Sequence, residues 1–366
     1  MRRGRRASTD RIYLFVDRPF GCSGLARTVL NLAGRLADQH EVHVIGRRRR
    51  SDESAFPIDP RVQVSFLDGA AYRSRRRTPM EEALRALPPG VVVATRPNLI
   101  LPVTRFAPKH HILVGQDHLN FVSRQRQGSI TKLDAAVPRL DALVVLTEAD
   151  ARDYRSRYAG SSVEVATIHN ASPWPMRTAV TTPDKVVVAV GRLARQKGFD
   201  RLITAYAPIA AAHPDWRLHI YGTGSRRRQL AKLIEDRGLQ EWVVLKGVSR
   251  DIESVLESAS IYALSSRFEG FPMVLVEAMT KGVPAISFDC PRGPAEMIEH
   301  GENGLLVPNN KVKVFTRRLR RMIEGEDLRA AMGAAATRSA SAYQLDAVVT
   351  QWEELFDRLL AARQRR

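Results

Sequence analysis

The sequence predicts an α/β protein with two Rossmann-like, doubly wound domains. Short β-branched runs alternate with amphipathic segments through both halves of the chain, as in parallel sheets covered by helices. Residues 171–184 (ASPWPMRTAVTTPD) contain three prolines and no periodicity, which predicts a linker. At about 150 residues per domain, 366 residues also make roughly two domains. We expect domains over residues 1–172 and 185–340 facing each other across a cleft, a linker over 173–184, and a C-terminal helix and basic tail over 341–366.

The pattern predicts strands and helices in the first half of the chain. The helix is expected over Leu25–Ala37, where apolar residues recur with helical spacing. The expected strands are Arg11–Asp17, Glu41–Gly46, Val62–Phe66, Val91–Ala94, His111–Val114, Ala142–Leu146 and Val163–Ile168.

A second α/β series follows the linker. The expected strands are Val186–Val190, Leu218–Tyr221, Val243–Leu245, Ile261–Leu264 and Ala285–Phe288, with helices over Phe199–Ala212 and Arg226–Arg237. The amphipathic segment Leu345–Ala361 predicts a final helix packed across a domain surface.

The composition excludes several classes of protein. With 44% hydrophobic and 26% charged residues, the chain is neither disordered nor disulfide-stapled. The two cysteines, Cys22 and Cys290, are too few and too far apart for a structural zinc site, and they fit a reducing cytoplasm. No apolar run approaches the 18 or so residues of a membrane span, and the start does not resemble a signal peptide. We expect a cytoplasmic location, with peripheral attachment to the inner face of the cell membrane left open.

The net charge of +18 implies an anionic neighbour. Three alternatives remain: solvated basic faces with a compositional bias toward arginine, an anionic membrane surface, or a polyanionic substrate or nucleic acid. No aromatic-interleaved basic motif or nucleic-acid module occurs, so no specific nucleic-acid partner is expected. The basic runs are Arg2–Arg6, Arg47–Arg50, Arg73–Arg77, Arg226–Arg228, Arg317–Arg321 and the RQRR tail.

Ligands of open parallel sheets bind beyond the carboxyl ends of the strands, so the segments after each strand are the candidate sites. The first is Pro19–Gly24 (PFGCSG), which leads into a helix whose N–H groups suit phosphate, or which is a plain strand-to-helix connection. The second is Gly191–Gly198 (GRLARQKG). There Arg192 and Lys197 converge on a diphosphate, unless the loop is simply basic and solvated.

A third segment, RFEGFPMVLVEAM, gives the strongest signal. Gly270 lets the backbone bend, and Pro272 suits the first turn of a helix. Glu269 is expected at the mouth of the cleft. Glu277 lies among apolar helix neighbours, so it needs a partner, either a basic side chain or a ligand hydroxyl.

The fourth segment is Gly115–His118, after the fifth predicted strand, where His118 is either a cleft residue opposite Glu269 or a structural histidine. The chain has no Asp-x-Asp pair and no GxSxG, HExxH or kinase motif. We therefore expect no metal and no cofactor, with a phosphate leaving group stabilised by Arg, Lys and a helix dipole.

Two stretches of the second half, GRLARQKGFDRLI and SRFEGFPMVLVEAMTKGVPAISFDCPRGPAEMIEHGENGLLV, resemble the retaining glycosyltransferases of family 4, which have the GT-B fold. In the first half, SGLARTVLNLAGRLADQHEVHVI is similar to the Gly loop, helix and second strand that open this family. The resemblance spans nearly the whole chain apart from the basic termini.

This resemblance implies a nucleotide-diphosphate sugar donor. Arg192 and Lys197 would neutralise the diphosphate, Glu277 would accept from the ribose, and Glu269 would hold a hydroxyl of the transferred sugar. His118 matches a first-domain histidine that contacts the donor sugar. The implied catalytic residues are His118, Glu269, Arg192 and Lys197, and the implied donor-binding residues are Gly24, Arg192, Lys197, Gly270, Phe271, Pro272, Met273, Val274, Leu275 and Glu277.

The chain departs from the family pattern at two points. Ser23-Gly24 replaces paired glycines, and Ile168-His169-Asn170 replaces the frequent Ile-Pro-Asn before the linker. The SFDCPRGPAEMI variant resembles members that glycosylate lipid-linked saccharides or wall polymers, which predicts UDP as the nucleotide and a glycan, lipid-linked or anionic polymer as acceptor. The rival interpretation is a non-catalytic protein of the same fold that binds nucleic acid or another polyanion.

Overall fold

The computed structural model describes residues 10–49, 51–68, 77–176 and 183–365. The chain divides into two compact units, the first formed by Met1–Pro173 with Leu345–Arg366 and the second by Trp174–Gln344. The basic run Arg2–Arg6, most of the run Arg73–Arg77 and the centre of the predicted linker lie outside the described residues.

The described part of the first unit contains a seven-stranded parallel sheet in the order β3-β2-β1-β4-β5-β6-β7. Most of these strands are continuous apolar runs, as expected where helices cover both faces of a sheet. The strands are β1 (Arg11–Val16), β2 (Glu41–Gly46), β3 (Gln63–Phe66), β4 (Val91–Thr95), β5 (Ile112–Asp117), β6 (Ala142–Val145) and β7 (Glu164–Thr167). The helices are α1 (Gly24–Leu36), α2 (Pro79–Ala86), α3 (Pro97–Phe106), α4 (Phe121–Arg126), α5 (Ile130–Ala136) and α6 (Glu148–Arg157).

The second unit contains a six-stranded parallel sheet in the order β10-β9-β8-β11-β12-β13. Its strands are β8 (Asp184–Val190), β9 (Arg217–Tyr221), β10 (Val243–Gly247), β11 (Ala259–Leu264), β12 (Ala285–Asp289) and β13 (Gly304–Pro308). Its helices are α7 (Phe199–Ala210), α8 (Arg227–Asp236), α9 (Ile252–Ser258), α10 (Met273–Thr280), α11 (Pro294–Met297), α12 (Val312–Glu324) and α13 (Glu326–Ala340). The apolar core on one face joins β8, β9 and β11 to α7, α8 and α12.

The final helix, α14 (Leu345–Gln364), belongs to the first unit. The residues that alternate along β1 on one face, Ile12 and Leu14, lie in the same core as Trp352 and Leu355 of α14. The opposite face of the sheet packs on α2, α3 and α5. The last segment of the chain thus closes the core that the first strand opens.

The predicted fold class, two doubly wound α/β domains, is confirmed in each unit. Most predicted strands lie within a few residues of the observed ones, and β13 was not predicted. The prediction was wrong for β5, which continues past Val114 to Asp117. Gln116 and Asp117 are polar and read as a loop, but both are buried within the strand.

Each chain path reverses direction beside its first strand, so ligand-binding crevices are expected beyond the carboxyl ends of β1 and β4, and of β8 and β11. Among the described residues, no helix combines the length and the apolar character that crossing a membrane requires.

Replacing Trp352 by Ala should destabilise the first unit by about 3–5 kcal/mol, because the indole is 1% exposed in the core that α14 completes. Hydrogen exchange of the β1 and β4 amides should accelerate, while exchange in β8 and β11 stays at the wild-type rate. Glu354→Ala, an exposed position on the same helix, is the matched control. Unchanged protection of β1 in the Trp352 variant would refute the packing described here.

Candidate functional site

The loops that follow β8 and β11 are bonded to each other at the carboxyl edge of the second sheet. The Arg267 amide donates to Gln196 O at 2.7 Å, and Gln196 Nε2 donates to Phe268 O at 3.1 Å. The Ser265 hydroxyl donates to Lys197 O at 2.9 Å. Because these bonds run in both directions, the two loops form one rigid edge.

Gly198 makes this close approach possible. Its φ is 63°, a left-handed conformation that glycine adopts without strain. A Cβ at this position would lie 2.1 Å from Ser265 O, closer than any real Cβ contact. Residue 198 therefore has to be glycine for the loops to meet as they do.

Arg201 of α7 fastens the same junction from below. Its guanidinium donates to Ser265 O at 2.7 Å and to Ser266 O at 2.6 Å, and it also reaches the side chains of Asn309 and Asn310. It lies 4.3 Å over the Phe288 ring and is only 7% exposed as a residue. Since a buried guanidinium is costly unless its donors are satisfied, this arginine is structural.

The loop after β9, YGTG, joins the same edge. The Gly191 amide donates to Tyr221 O at 2.9 Å, and the Leu193 amide donates to Thr223 O at 2.8 Å. Gly222 has a φ of 134°, and a Cβ there would lie 2.0 Å from Gly191 O. The carboxyl ends of three neighbouring strands are therefore held together by backbone bonds.

The predicted charged residues meet on this platform. Lys197 Nζ lies 2.7 Å from Glu269 Oε1, and the Ser266 hydroxyl donates to the same oxygen. The aliphatic stem of Lys197 passes close over Gly191, where a Cβ would lie 3.0 Å from Lys197 Cε. Glu269 was expected at an open position, but it is 4% exposed because Lys197 and Ser266 cover it.

Arg192 differs from Lys197 in having no such partner. Its side chain is exposed, and in the described part of the chain its guanidinium makes no ion pair or hydrogen bond. A guanidinium has five donors arranged in a planar fork, which matches two oxygens of a phosphate. Arg192 is therefore available to an anionic ligand at this edge.

The helix α10 starts at the same edge. Pro272 is its cap and Met273 its first residue, so Pro272 lies one position earlier than predicted. The Met273 and Leu275 amides bond locally to Phe271 O and Pro272 O, whereas the Val274 amide has no partner among the described residues. An unpaired amide in the first turn, with the positive end of the helix dipole, favours an anion.

The second predicted carboxylate, Glu277, lies in α10 and is 1% exposed. Burial raises the pKa of the Tyr262 hydroxyl well above its usual value, and the nearby charges of Glu269 and Glu277 raise it further. Cys290 also lies close by, and burial followed by the charge of Glu269 raises its pKa to about 12. The structure thus brings Glu269 and Glu277 around one buried tyrosine.

In the first unit, His118 directly follows β5. Its Nε2 atom is buried and has no hydrogen-bond partner in the described residues. Burial, and then the charges of Arg96 and Arg124, lower the pKa of His118 to about 3, so the ring is neutral near pH 7. A neutral imidazole at this position can exchange a hydrogen bond with a sugar hydroxyl.

The backbone before His118 is fixed by a buried ion pair that the sequence did not reveal. Asp117 accepts from Arg124 Nε at 3.0 Å and from the Tyr154 hydroxyl at 2.7 Å, and a second guanidinium nitrogen of Arg124 bonds the other carboxylate oxygen. Asp117 also accepts from the Leu119 amide at 3.2 Å. The position of His118 is therefore set by bonds on both sides of it.

Gly24 is the first residue of α1. Ser23 caps the helix and accepts from the Ala26 amide at 3.2 Å, while the Gly24 and Leu25 amides have no partner among the described residues. A Cβ added to Gly24 would meet nothing within 4 Å. Packing within the protein therefore does not require glycine here, and the open space and free amides suit the approach of a ligand.

Arg96, between β4 and α3, is a further unusual residue that the sequence did not single out. Its φ of 69° and ψ of 146° fall in a region that is nearly exclusive to glycine and costs about 1–3 kcal/mol for other residues. The following Pro97 accounts for the extended ψ but not for the positive φ.

Among the described residues, no group of three or more His, Cys, Asp or Glu side chains is placed to hold a metal ion. Each unit instead presents basic groups and unpaired helix amides beyond the carboxyl end of its sheet.

The architecture of the chain corresponds to the GT-B fold. The Staphylococcus aureus TarM structure in complex with fondaparinux, α-GlcNAc-glycerol and UDP superposes with a TM-score of 0.81 at 14% identity, over 95% of this chain and 99% of TarM.

Two family descriptions match consecutive parts of the sequence: Glycosyltransferase Family 4 over residues 22–171, and Glycosyl transferases group 1 over residues 174–339. The chain belongs to this family of glycosyltransferases.

Two bacterial relatives align along most of the chain. The exopolysaccharide phosphotransferase SCO2592 of Streptomyces coelicolor is 32% identical over 93% of this chain, which spans 40% of the length of that protein. The amylovoran biosynthesis glycosyltransferase AmsD of Erwinia amylovora is 27% identical over 95% of this chain and 99% of AmsD.

Gly198 and Gly238 provide a matched test of the loop junction, because both have φ near 62° and only Gly198 lies against another loop. Gly238→Ala should cost about 1–2 kcal/mol for the left-handed backbone alone. Gly198→Ala should cost about 1–3 kcal/mol more, since its methyl displaces the Ser265 carbonyl. Urea denaturation of the second unit measures both, and equal costs would contradict the contact.

Proposed function

We propose that this protein transfers a sugar, with retention of anomeric configuration and without a metal, from a UDP-sugar to a glycan, lipid-linked or wall-polymer acceptor. The observation that carries the proposal is the pairing of Lys197 with Glu269 beside Arg192 and the start of α10, all on one rigid edge. Family membership and the UDP bound to TarM support the choice of donor. The free thiols of Cys22 and Cys290 agree with a cytoplasmic location.

The second unit has groups for each part of the donor. Arg192 and the Val274 amide would take the diphosphate oxygens, together with Lys197, whose ammonium has two protons left after donating to Glu269. Glu269 would accept from a hydroxyl of the transferred sugar, and Glu277 from the ribose. Because Ser266 and Lys197 fix the Glu269 carboxylate before the donor arrives, little reorganisation is needed at the moment of reaction.

The chemical step is a same-face displacement. The bond between the anomeric carbon and the diphosphate oxygen breaks with its electron pair on the diphosphate, and the acceptor oxygen bonds to the carbon from the same side. The acceptor proton passes to an oxygen of the departing diphosphate, so no separate base is needed. Arg192, Lys197 and the α10 dipole stabilise the charge that builds on the leaving group.

The first unit would contribute His118 and the free amides of Gly24 and Leu25. His118 is neutral, so its role would be to hold a sugar hydroxyl through the buried Nε2 rather than to supply a charge. The ion pair between Asp117 and Arg124 would keep the ring in place.

The alternative function, a non-catalytic polyanion-binding protein of this fold, is favoured only by the net charge of +18. A thermal-shift screen against UDP, GDP and ADP sugars separates the two. A donor at 100 times its Kd adds about 2.7 kcal/mol of stability, whereas a protein that has lost donor binding shows no shift with any nucleotide sugar.

Replacing Arg192 by Ala should lower kcat with a UDP-sugar by at least about 100-fold, because one preorganised donor to the leaving group is lost. Lys197→Ala should lose at least as much, although it also leaves Glu269 buried without its cation. Arg237→Ala, an exposed arginine at the far end of α8, is the control and should keep wild-type turnover. Near-normal kcat in both site variants would overturn the assignment of the diphosphate site.

Glu269→Gln tests contact with the sugar rather than the nucleotide. The amide keeps the shape of the carboxylate but loses its charge, so transfer should fall by at least about 100-fold while the Kd for UDP changes little. Parallel titration with UDP and assay of transfer measure the two effects. An equal loss of UDP binding would show that Glu269 does not act on the transferred sugar.

A further inference from the structure

Arg96 lies at the switch point of the first sheet, where the two halves of that sheet diverge from β1 and β4. The register pairs Phe15 with Ala94 and Thr95 with Gln116, and the Arg96 amide donates to Gln116 O at 2.9 Å. Arg96 is thus the first residue beyond the sheet on β4, level with Asp17 after β1 and with Asp117 at the end of β5. Ligands of such sheets bind at this place.

The side chain of Arg96 is available there. It is exposed, and within the described residues its guanidinium makes no ion pair or hydrogen bond. Neither neighbouring carboxylate is free to neutralise it, since Asp17 is paired with Arg47 at 2.6 Å and Asp117 is paired with Arg124. Its charge is felt by the adjacent His118, which confirms that the guanidinium lies close to the unpartnered ring.

The backbone of Arg96 adds an independent indication. A residue with a side chain rarely occupies a glycine-only conformation unless something outside local packing maintains it, and such residues cluster at ligand-binding sites. Glycine would fit this position without strain, so a side chain is kept at an energetic cost. What that side chain offers is a guanidinium held at the open edge of the sheet.

We propose that Arg96 is a specificity residue that binds an anionic group, a phosphate or a carboxylate, on the acceptor. This rests on the proposed function and names the chemistry of its second substrate. Arg192, Lys197 and α10 of the second unit already supply the cationic and amide groups that a donor diphosphate needs. A guanidinium fork on the first unit therefore has no role toward the donor and suits a bidentate contact with a charged acceptor.

The test compares charged and neutral probes on the UDP-saturated protein. Glycerol 3-phosphate and glycerol form one pair, and glucuronate and glucose form the other, with Kd measured by titration. The wild type should bind the anionic member of at least one pair ten or more times more tightly, and the pair that responds identifies phosphate or carboxylate. Arg96→Gln should remove this preference. Equal affinity for both members of both pairs in the wild type would overturn the proposal.

Two further variants exclude a merely structural effect. Arg105→Gln removes the same charge from the opposite end of α3, about 13 Å away along the helix, and should keep the wild-type preference. Arg96→Gly relieves the positive φ, so it should lose the preference while its Tm stays at or above that of the wild type. A preference retained in Arg96→Gly, or lost equally in Arg105→Gln, would refute a specific contact.

Titration with UDP alone separates this inference from the proposed function. If the wild type fails to bind UDP, the proposed function fails, whatever the acceptor probes show. If Arg96→Gln weakens UDP binding as strongly as it weakens binding of the anionic probe, Arg96 serves the donor and the inference is wrong.

Discussion

The candidate donor site depends on one junction, the bonding of the loop after β8 to the loop after β11. Gly198 lets the two backbones touch, and Arg201 holds the Ser265 and Ser266 carbonyls from the core side. Lys197 and Ser266 leave opposite sides of this junction and meet on the same oxygen of Glu269. A buried ion pair is favourable only with good geometry and further hydrogen bonds, and the junction provides both.

The charges at the two sheet edges fall into two groups with different physical roles. Glu269 and Lys197, Asp117 and Arg124, and Asp200 and Arg267 are paired, so they position backbone or one another. Arg192 and Arg96 are exposed and have no partner in the described residues. Positive charge without a protein partner at the ligand-binding edge of a sheet is costly only until an anion binds, which is the expected state of a substrate-binding residue.

The fold and the main donor-site residues were accessible from sequence because both depend on local pattern. Apolar runs of strand length and helical periodicity define the two sheets, and the position of Arg192, Lys197 and Glu269 after strands predicts their common edge. Partnership across 72 residues, as between Lys197 and Glu269, is set by strand order rather than by local pattern. The burial of Glu269 and the structural role of Arg201 therefore could not be predicted.

Two other differences have the same cause. Polar Gln116 and Asp117 end β5 because Arg124 and Tyr154, from later helices, satisfy the buried carboxylate. The strained φ of Arg96 leaves no mark in composition, since arginine is common throughout the chain. In both places a tertiary partner or a ligand, rather than intrinsic propensity, decides the local structure.

The large excess of arginine is explained more by position than by density. In the described part of the run Arg47–Arg50, Arg47 bonds Asp17, and the Arg49 amide donates to Asp68 while its side chain lies near Asp52. Arg226 bonds Gln229. These members of the basic runs are tied to neighbouring polar side chains, which favours the interpretation that such runs are solvated, structural surface. The two arginines placed to meet an anionic substrate, Arg192 and Arg96, lie outside every run and directly beyond a central strand, where a single fork held in the right place has more effect than many mobile charges.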